Sequence, residues 1–383
     1  MRPSIASLLT LAFLICAASH TRGDDSTTDV QLRPAPFDGR RARAVVDHEG
    51  AEHLIYANQG NLFYTRRDVP SDDYTQPIQV NSIDRSIAAA NLAVAPDGTV
   101  HVVFHGNIVY VRNQIQAEGS ERRVTAKDIR YTFYSRLPTG AEAFEPQRNI
   151  SGSVWGFDGS CAVAADAENV YVFINGAQQP GSEMARDIFL VRSTDGGDQF
   201  EAPRGVGLGQ GVCACCHLSA LVDDAGALHF IYRVALDRVD RNSYAMRSTD
   251  QGATFESIPI DTWKLNACPG SAYSFATSGD QTLVSWRTVN NIFFKPLDAE
   301  DPISPGGQVA LRRAANLALR PDGVALMAWA EGANFNKPHD LRWQKYGPDG
   351  NPVGDPGILK DAFARWGNPE AFVDANGAFV ILY

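Results

Sequence analysis

The chain has 383 residues, 44% of them hydrophobic, with 33 glycines and 21 prolines spread along it. That is enough apolar material for a large core interrupted by many turns. A formal net charge of −10 speaks against nucleic acid or an anionic membrane as a partner, and beyond the first two dozen residues no apolar run is long enough to span a bilayer.

Residues 1–23 have the form of a secretory signal. Arg2 supplies a short cationic start, residues 5–18 are mostly apolar, and Ala17, Ala18 and Ser19 are small enough for cleavage. Cys16 follows Phe13, Leu14 and Ile15, without the small residue that precedes a lipoprotein cysteine. The expectation is an exported protein, secreted or periplasmic, with residues 24–383 as one domain.

From residue 43 onward one pattern recurs seven times: alternating small and apolar residues, a tight turn, then a second alternating run. It covers 43–56, 91–104, 161–173, 219–232, 273–286, 316–329 and 370–383, with turns at Gly50, Gly98, Glu168, Gly226, Asp280, Gly323 and Gly377. Successive turns lie 43 to 70 residues apart, room for one four-stranded blade per repeat. Third strands are predicted at 61–67, 130–136, 187–193, 243–248, 292–297 and 341–346, and the polar stretch 112–128 as a surface loop. No segment has a convincing helical period. The prediction is an all-β fold, a six- or seven-bladed β-propeller of four-stranded antiparallel blades. With seven blades, the segment around 28–36 must help to close the ring; with six, the first and last hairpins share a blade.

Two third strands end in the same phrase. Ser193–Phe200 reads STDGGDQF, and 248–255 reads STDQGATF. Serine and aspartate side chains can hold nearby backbone amides, glycine supplies positive φ, and the phenylalanine can pack between sheets. These repeats resemble the Asp-box, or BNR repeat, of the sialidase superfamily, in which the box closes propeller blades.

In a propeller the start of each inner strand and the loop after each second strand share one rim, the usual place for a ligand. Seven residues before each turn stand Arg43, Asn91, Cys161, Ser219, Tyr273, Asn316 and Glu370; past the second strands stand His105, Asn175, Arg233, Arg287 and Glu331. Such a rim suits a glycan or a small-molecule ligand, although any water-filled channel mouth is polar. The sialidase resemblance implies a three-arginine carboxylate clamp and a tyrosine nucleophile activated by a glutamate. By repeat position Arg43, Arg233 and Arg287 would be the clamp, Tyr273 the nucleophile, and Glu370 or Glu331 its partner. The chain departs from the family in lacking the Arg-Ile-Pro motif and a clear acid/base aspartate. A binding or divergent catalytic propeller is therefore the first expectation and an exo-sialidase the alternative.

Cysteine usage opens a further alternative. Without Cys16 there remain Cys161, Cys213, Cys215, Cys216 and Cys268, all at the starts of inner strands in three consecutive repeats. Pairing of Cys-x-Cys-Cys with a later Ala-Cys-Pro resembles a group of exported bacterial sialidase-like proteins. Three chemistries fit: disulfides that staple neighbouring blades and leave one thiol over; copper or zinc held by these cysteines with His217; or haem c on Cys213, Cys216 and His217, which satisfy Cys-x-x-Cys-His.

Overall fold

The computed structural model describes residues 29–383 apart from 72, 83–86, 114–123, 160, 309–310, 333–336 and 365–366; the predicted signal at 1–23 lies outside the described residues. Seven separate sheets follow one another along the chain, which decides for seven blades over six. Their inner strands are Arg40–Val46, Ile87–Val94, Cys161–Ala165, Ser219–Val222, Ser274–Ser278, Arg312–Leu319 and Glu370–Val373. Each pairs antiparallel with the strand after its turn. Among the described residues five sheets have four strands and two have three.

The ring closes through the two ends of the chain. Val30–Arg33 runs parallel to Phe379–Leu382, Val30 opposite Phe379 and Arg33 opposite Leu382, so the last blade combines the first described strand with the final hairpin. The expected loop at 112–128 is strand at its two described ends, 112–113 and 124–128. Val100–Asn113 and Val124–Leu137 stay paired out to Asn113 opposite Val124, well past Gly106, where the inner strand stops.

Second strands such as Val170–Ala177 and Ala325–Glu331 are buried along their whole length, because both faces of a blade pack on neighbours. The core is accordingly a ring of layers between blades. Phe173, Phe230 and Leu228 fill one of them, and Leu317, Met327 and Ile292 another. Histidines at equivalent positions of three repeats are part of this packing: His53 sits between Tyr64 and Asp47, His101 bonds Tyr134 and His229 bonds Asp223.

The two Ser-x-Asp turns share one bond pattern. Ser193 Oγ donates to Asp195 Oδ1 at 2.7 Å and accepts from Gly197 N at 2.8 Å, while Asp195 Oδ1 accepts from Gln199 N at 2.9 Å. Ser248, Asp250, Gly252 and Thr254 repeat these contacts at 2.7, 2.8 and 2.9 Å. Gly197 takes φ 91°, and a Cβ there would strike the Tyr134 hydroxyl at 2.0 Å. Phe200 then packs edge-on to Tyr134 and Phe255 edge-on to Phe230. Both turns lie between third and fourth strands, on the rim opposite the starts of the inner strands.

Candidate functional site

Inner strands crowd together at their starts, where three of them deform alike. The register between inner and second strand slips between Arg40 and Arg43, between Ala88 and Asn91, and between Arg313 and Asn316. Within each bulge one non-glycine residue takes a left-handed conformation: Arg41 at φ 56°, Ala89 at 52° and Ala314 at 51°. These three stand at the same position relative to their turn glycines. A bulge re-aims side chains at the rim of a sheet, and here it turns them toward the axis.

A cavity of about 400 Å³ opens there, with walls drawn from all seven blades. Its polar side chains include Arg41, Arg43 and Arg313, with His217, Asn91 and Asn368; Asp158 is the acid on its wall. Arg41 is exposed. Arg43 donates to Glu370 Oε2 at 2.8 Å, and Arg313 reaches the His339 ring and Asn368. Burial, with the Arg43 and Arg41 guanidiniums beside it, pushes His217 down to about 4, so its ring is neutral at neutral pH. The cavity thus combines net positive charge with neutral donors and acceptors, a combination that suits a small anion.

The predicted polar ring is used in part to join blades. Glu370 accepts from Arg43, from Asn316 Nδ2 at 3.0 Å and from Ala44 N at 3.2 Å, and Asn316 Oδ1 accepts from Ala371 N at 3.0 Å. Asn91 donates to the Cys161 carbonyl at 3.1 Å, and Asn175 to the Cys213 carbonyl at 2.9 Å. Burial pushes the Glu370 carboxyl up, and Arg43 offsets this only in part. Glu331 is tied to Arg312, Arg342 and Trp329.

The remaining predicted clamp and nucleophile residues stand behind the cavity wall. Arg233 is fully buried, donating to the carbonyls of Arg241 and Arg287, with its guanidinium over the Trp263 and Tyr273 rings. Arg287 donates to the carbonyls of Val289 and Pro269. The Tyr273 hydroxyl is 2.8 Å from Ser243 Oγ, and burial pushes its ionisation up. Of the predicted clamp, the structure brings only Arg43 to the cavity; Arg41 and Arg313 accompany it. Sequence reading missed both. The one available signal was the repeat itself, since RRAR, AAAN and RAAN at 40–43, 88–91 and 313–316 align.

Four of the five cysteines meet beside this cavity. Cys215 and Cys268 form a disulfide with an S–S distance of 2.04 Å, linking the approaches to the fourth and fifth blades. Both line the cavity, and Cys268 is exposed. Cys213 and Cys216, 1% and 2% exposed, remain as thiols among Ile231, Tyr273, Phe275 and Trp286. Their sulfurs are 3.3 Å apart, and that of Cys213 is 3.7 Å from that of Cys215. Burial pushes both thiols up. The hydrogen bond between the two sulfurs holds the Cys213 thiol up and, with the guanidiniums of Arg233 and Arg241, brings Cys216 down to about 6 despite its burial. Cys161 stands apart, its sulfur on the Ala89 carbonyl at 3.1 Å.

This arrangement bears on the metal and haem expectations. The sulfurs of Cys213, Cys215 and Cys216 lie within 4.8 Å of one another, a span that a soft metal could bridge. With Cys215 bonded to Cys268, however, two thiols remain, and the charged side chains that act on them are Arg233, Arg241 and Glu183. Haem attachment at Cys213 and Cys216 would require their apolar surroundings to open.

The chain matches no protein-family model and no curated protein by sequence. Its fold is similar to those of solved sialidases. The Hadza microbial sialidase Hz136 aligns over 85% of this chain and 70% of its own at 12% identity, with a TM-score of 0.49. The intramolecular trans-sialidase of Ruminococcus gnavus aligns over 83% of this chain and 96% of its own at 9% identity, TM-score 0.48. The α-L-arabinofuranosidase Arb93A of Fusarium graminearum aligns over 86% and 97% at 11% identity, TM-score 0.48.

Proposed function

We propose that this is an exported, sialidase-like Asp-box propeller, secreted or periplasmic, that binds a small carboxylate-bearing ligand, such as an acidic sugar at the end of a glycan, in the central cavity. The observation that carries this reading is the convergence of Arg41, Arg43 and Arg313 on a space of about 400 Å³, within the size range of small-ligand pockets. Guanidinium is the side chain that matches a carboxylate with two parallel hydrogen bonds. His217, Asn91 and Asn368 would supply neutral contacts to hydroxyl and amide groups.

Titration calorimetry with N-acetylneuraminate and with the uncharged N-acetylmannosamine tests it. The acid should bind and the neutral sugar should not, and Arg41→Ala should weaken binding about tenfold, the value of one charge-assisted contact of about 1.4 kcal/mol. Equal binding of both sugars, or of neither, refutes the reading.

Glycoside hydrolysis through Tyr273 is the second reading. It needs the tyrosine hydroxyl to exchange Ser243 for a ligand in the cavity. A sialoside cleaved by the native chain but not by Tyr273→Phe would favour it.

A further inference from the structure

Four sulfurs lie close together between the interior and the cavity, those of Cys213, Cys215 and Cys216 within 4.8 Å of one another. Cys216 and Cys213 are buried thiols 3.3 Å apart. Next comes Cys215, 3.7 Å from Cys213, and then its disulfide partner Cys268, exposed at the cavity wall. Cys213 therefore touches both its fellow thiol and the disulfide. The loop carrying these residues is pinned on both sides: Cys213 N donates to the Arg233 carbonyl at 2.9 Å, Ala214 N to Glu183 Oε1 at 3.0 Å and His217 N to the Ser271 carbonyl at 2.8 Å. Gly159 lies so close that a Cβ would meet the carbonyls of Ala214 and Cys216 at 2.5 and 2.7 Å. The nearby Arg233 is fully buried, two of its nitrogens donate to carbonyls, and among the described residues its Nε has no hydrogen-bond partner. Beside it stand the Asp261 carboxyl and the sulfurs of Cys216 and Cys213, and a buried guanidinium favours anionic neighbours, a thiolate included.

We propose that Cys213, Cys215, Cys216 and Cys268 form a thiol–disulfide relay that passes two electrons from the buried pair, Cys213 and Cys216, to the pair facing the cavity, Cys215 and Cys268. In the first step the Cys213 thiolate, its proton given to Cys216, attacks Cys215 Sγ. The Cys213–Cys215 bond forms, the Cys215–Cys268 bond breaks, and Cys268 leaves as a thiolate. In the second step Cys216, its proton passed to Cys268, attacks Cys213 Sγ. The Cys213–Cys216 bond forms and Cys215 leaves as a thiolate. One disulfide and two thiols are present before and after, so no external oxidant or reductant is consumed. Thiolate attack on a neighbouring disulfide through such an intermediate is the ordinary course of exchange.

The product is a dithiol at the cavity wall, and the chemical class it takes is a small disulfide. Cys268 attacks one sulfur of the incoming disulfide and releases the first thiolate. Cys215 then attacks Cys268 Sγ, restores the Cys215–Cys268 bond and releases the second. The cationic walls favour an anionic disulfide, for which oxidised glutathione is the probe.

The test treats the folded full chain with iodoacetamide without reductant and maps the labels by mass spectrometry. The relay predicts label on Cys215 and Cys268 together with a Cys213–Cys216 disulfide. It also predicts loss of that label in Cys213→Ser, its retention in Cys161→Ser, and label on Cys268 alone in Cys216→Ser, where exchange stops at Cys213–Cys215. Two glutathione thiols released per chain from oxidised glutathione confirm the substrate class, and none released refutes it. The relay is overturned if the native chain takes no label until denatured, if Cys161 labels as fast as Cys268, or if the purified chain carries one copper or zinc per molecule on these sulfurs.

Discussion

Glu370 offers the sharpest test of the cavity as an anion site, because it is the carboxylate that competes for Arg43. The two are 2.8 Å apart, so an anion that engages the other face of the guanidinium stands roughly 6 Å from the Glu370 charge. Two unit charges at that distance repel by about 0.7 kcal/mol at the dielectric constant of water and by about 2.8 kcal/mol at the effective value of ~20 near a protein surface. Glu370→Gln removes the repulsion at nearly constant shape, and anion binding should tighten by about threefold to a hundredfold, with tenfold as the central expectation.

Sulfate is a suitable probe, since it keeps its charge throughout the range; its two charges double the repulsion, so for it the gain should be at least about tenfold, and titration calorimetry from pH 7 to 4 reads the effect. The gap between native and variant chains should close as the pH falls, because Glu370, whose carboxyl is raised above its ordinary 4.5, gains its proton and comes to resemble glutamine. The same shift fixes the sign for stability. The folded state holds this proton more tightly than the unfolded chain, so the stabilisation is fully present below 4.5 and is lost as pH rises through the higher folded value. The variant escapes that loss and should melt no lower than the native chain at pH 7. Sulfate binding that is unchanged or weakened in Glu370→Gln would refute the argument and make Glu370 part of the ligand's own contact set.

Other expectations concern the scaffold. Ser193→Ala leaves the Gly197 amide without its acceptor, and Ser248→Ala does the same to Gly252; each should cost about 1–3 kcal/mol in urea unfolding, and the double variant should depart from the sum because Arg192 and Arg204 of the first turn's blade donate to the Gln251 and Gly252 carbonyls of the second turn. Asp250, held down to about 2 by Thr254 and Ser248, should stabilise the fold above its ordinary 3.8 and lose that effect as the pH falls toward 2; Asp250→Asn should abolish this acid limb in a thermal melt. Deleting residues 29–33 strips the partner of Phe379–Leu382 and should turn one cooperative melt into a lower, broader one, whereas an unchanged melt would show that the strand is dispensable.

The seven hairpins were legible because each couples a turn residue to a period-two pattern, two local signals that agree. Closure by Val30–Arg33 could be read only as a geometric demand, since a four-residue strand carries too little pattern to identify itself. The three bulges were hidden: RRAR, AAAN and RAAN do not look like breaks, and only the paired strand reveals the slip. That is why Arg41 and Arg313 escaped notice. Arg233 shows a different limit. Its strand, Leu228–Arg233, is buried at every position, so alternation could not tell which face meets the cavity. The Cys215–Cys268 pairing was likewise open, because connectivity depends on distances that spacing along the chain does not fix.

Pairing Val30–Arg33 with Phe379–Leu382 also sets a schedule for assembly. Val30–Arg33 is made long before Phe379–Leu382, and until that partner arrives it presents bare backbone donors and acceptors. Any pause during export or refolding prolongs that wait, and the same four residues of a second molecule fit the vacancy equally well. An exchanged dimer, each copy lending its leading strand to the other's final blade, is the misassembly this architecture invites. Dilute refolding followed by size-exclusion chromatography would separate it from the self-closed ring.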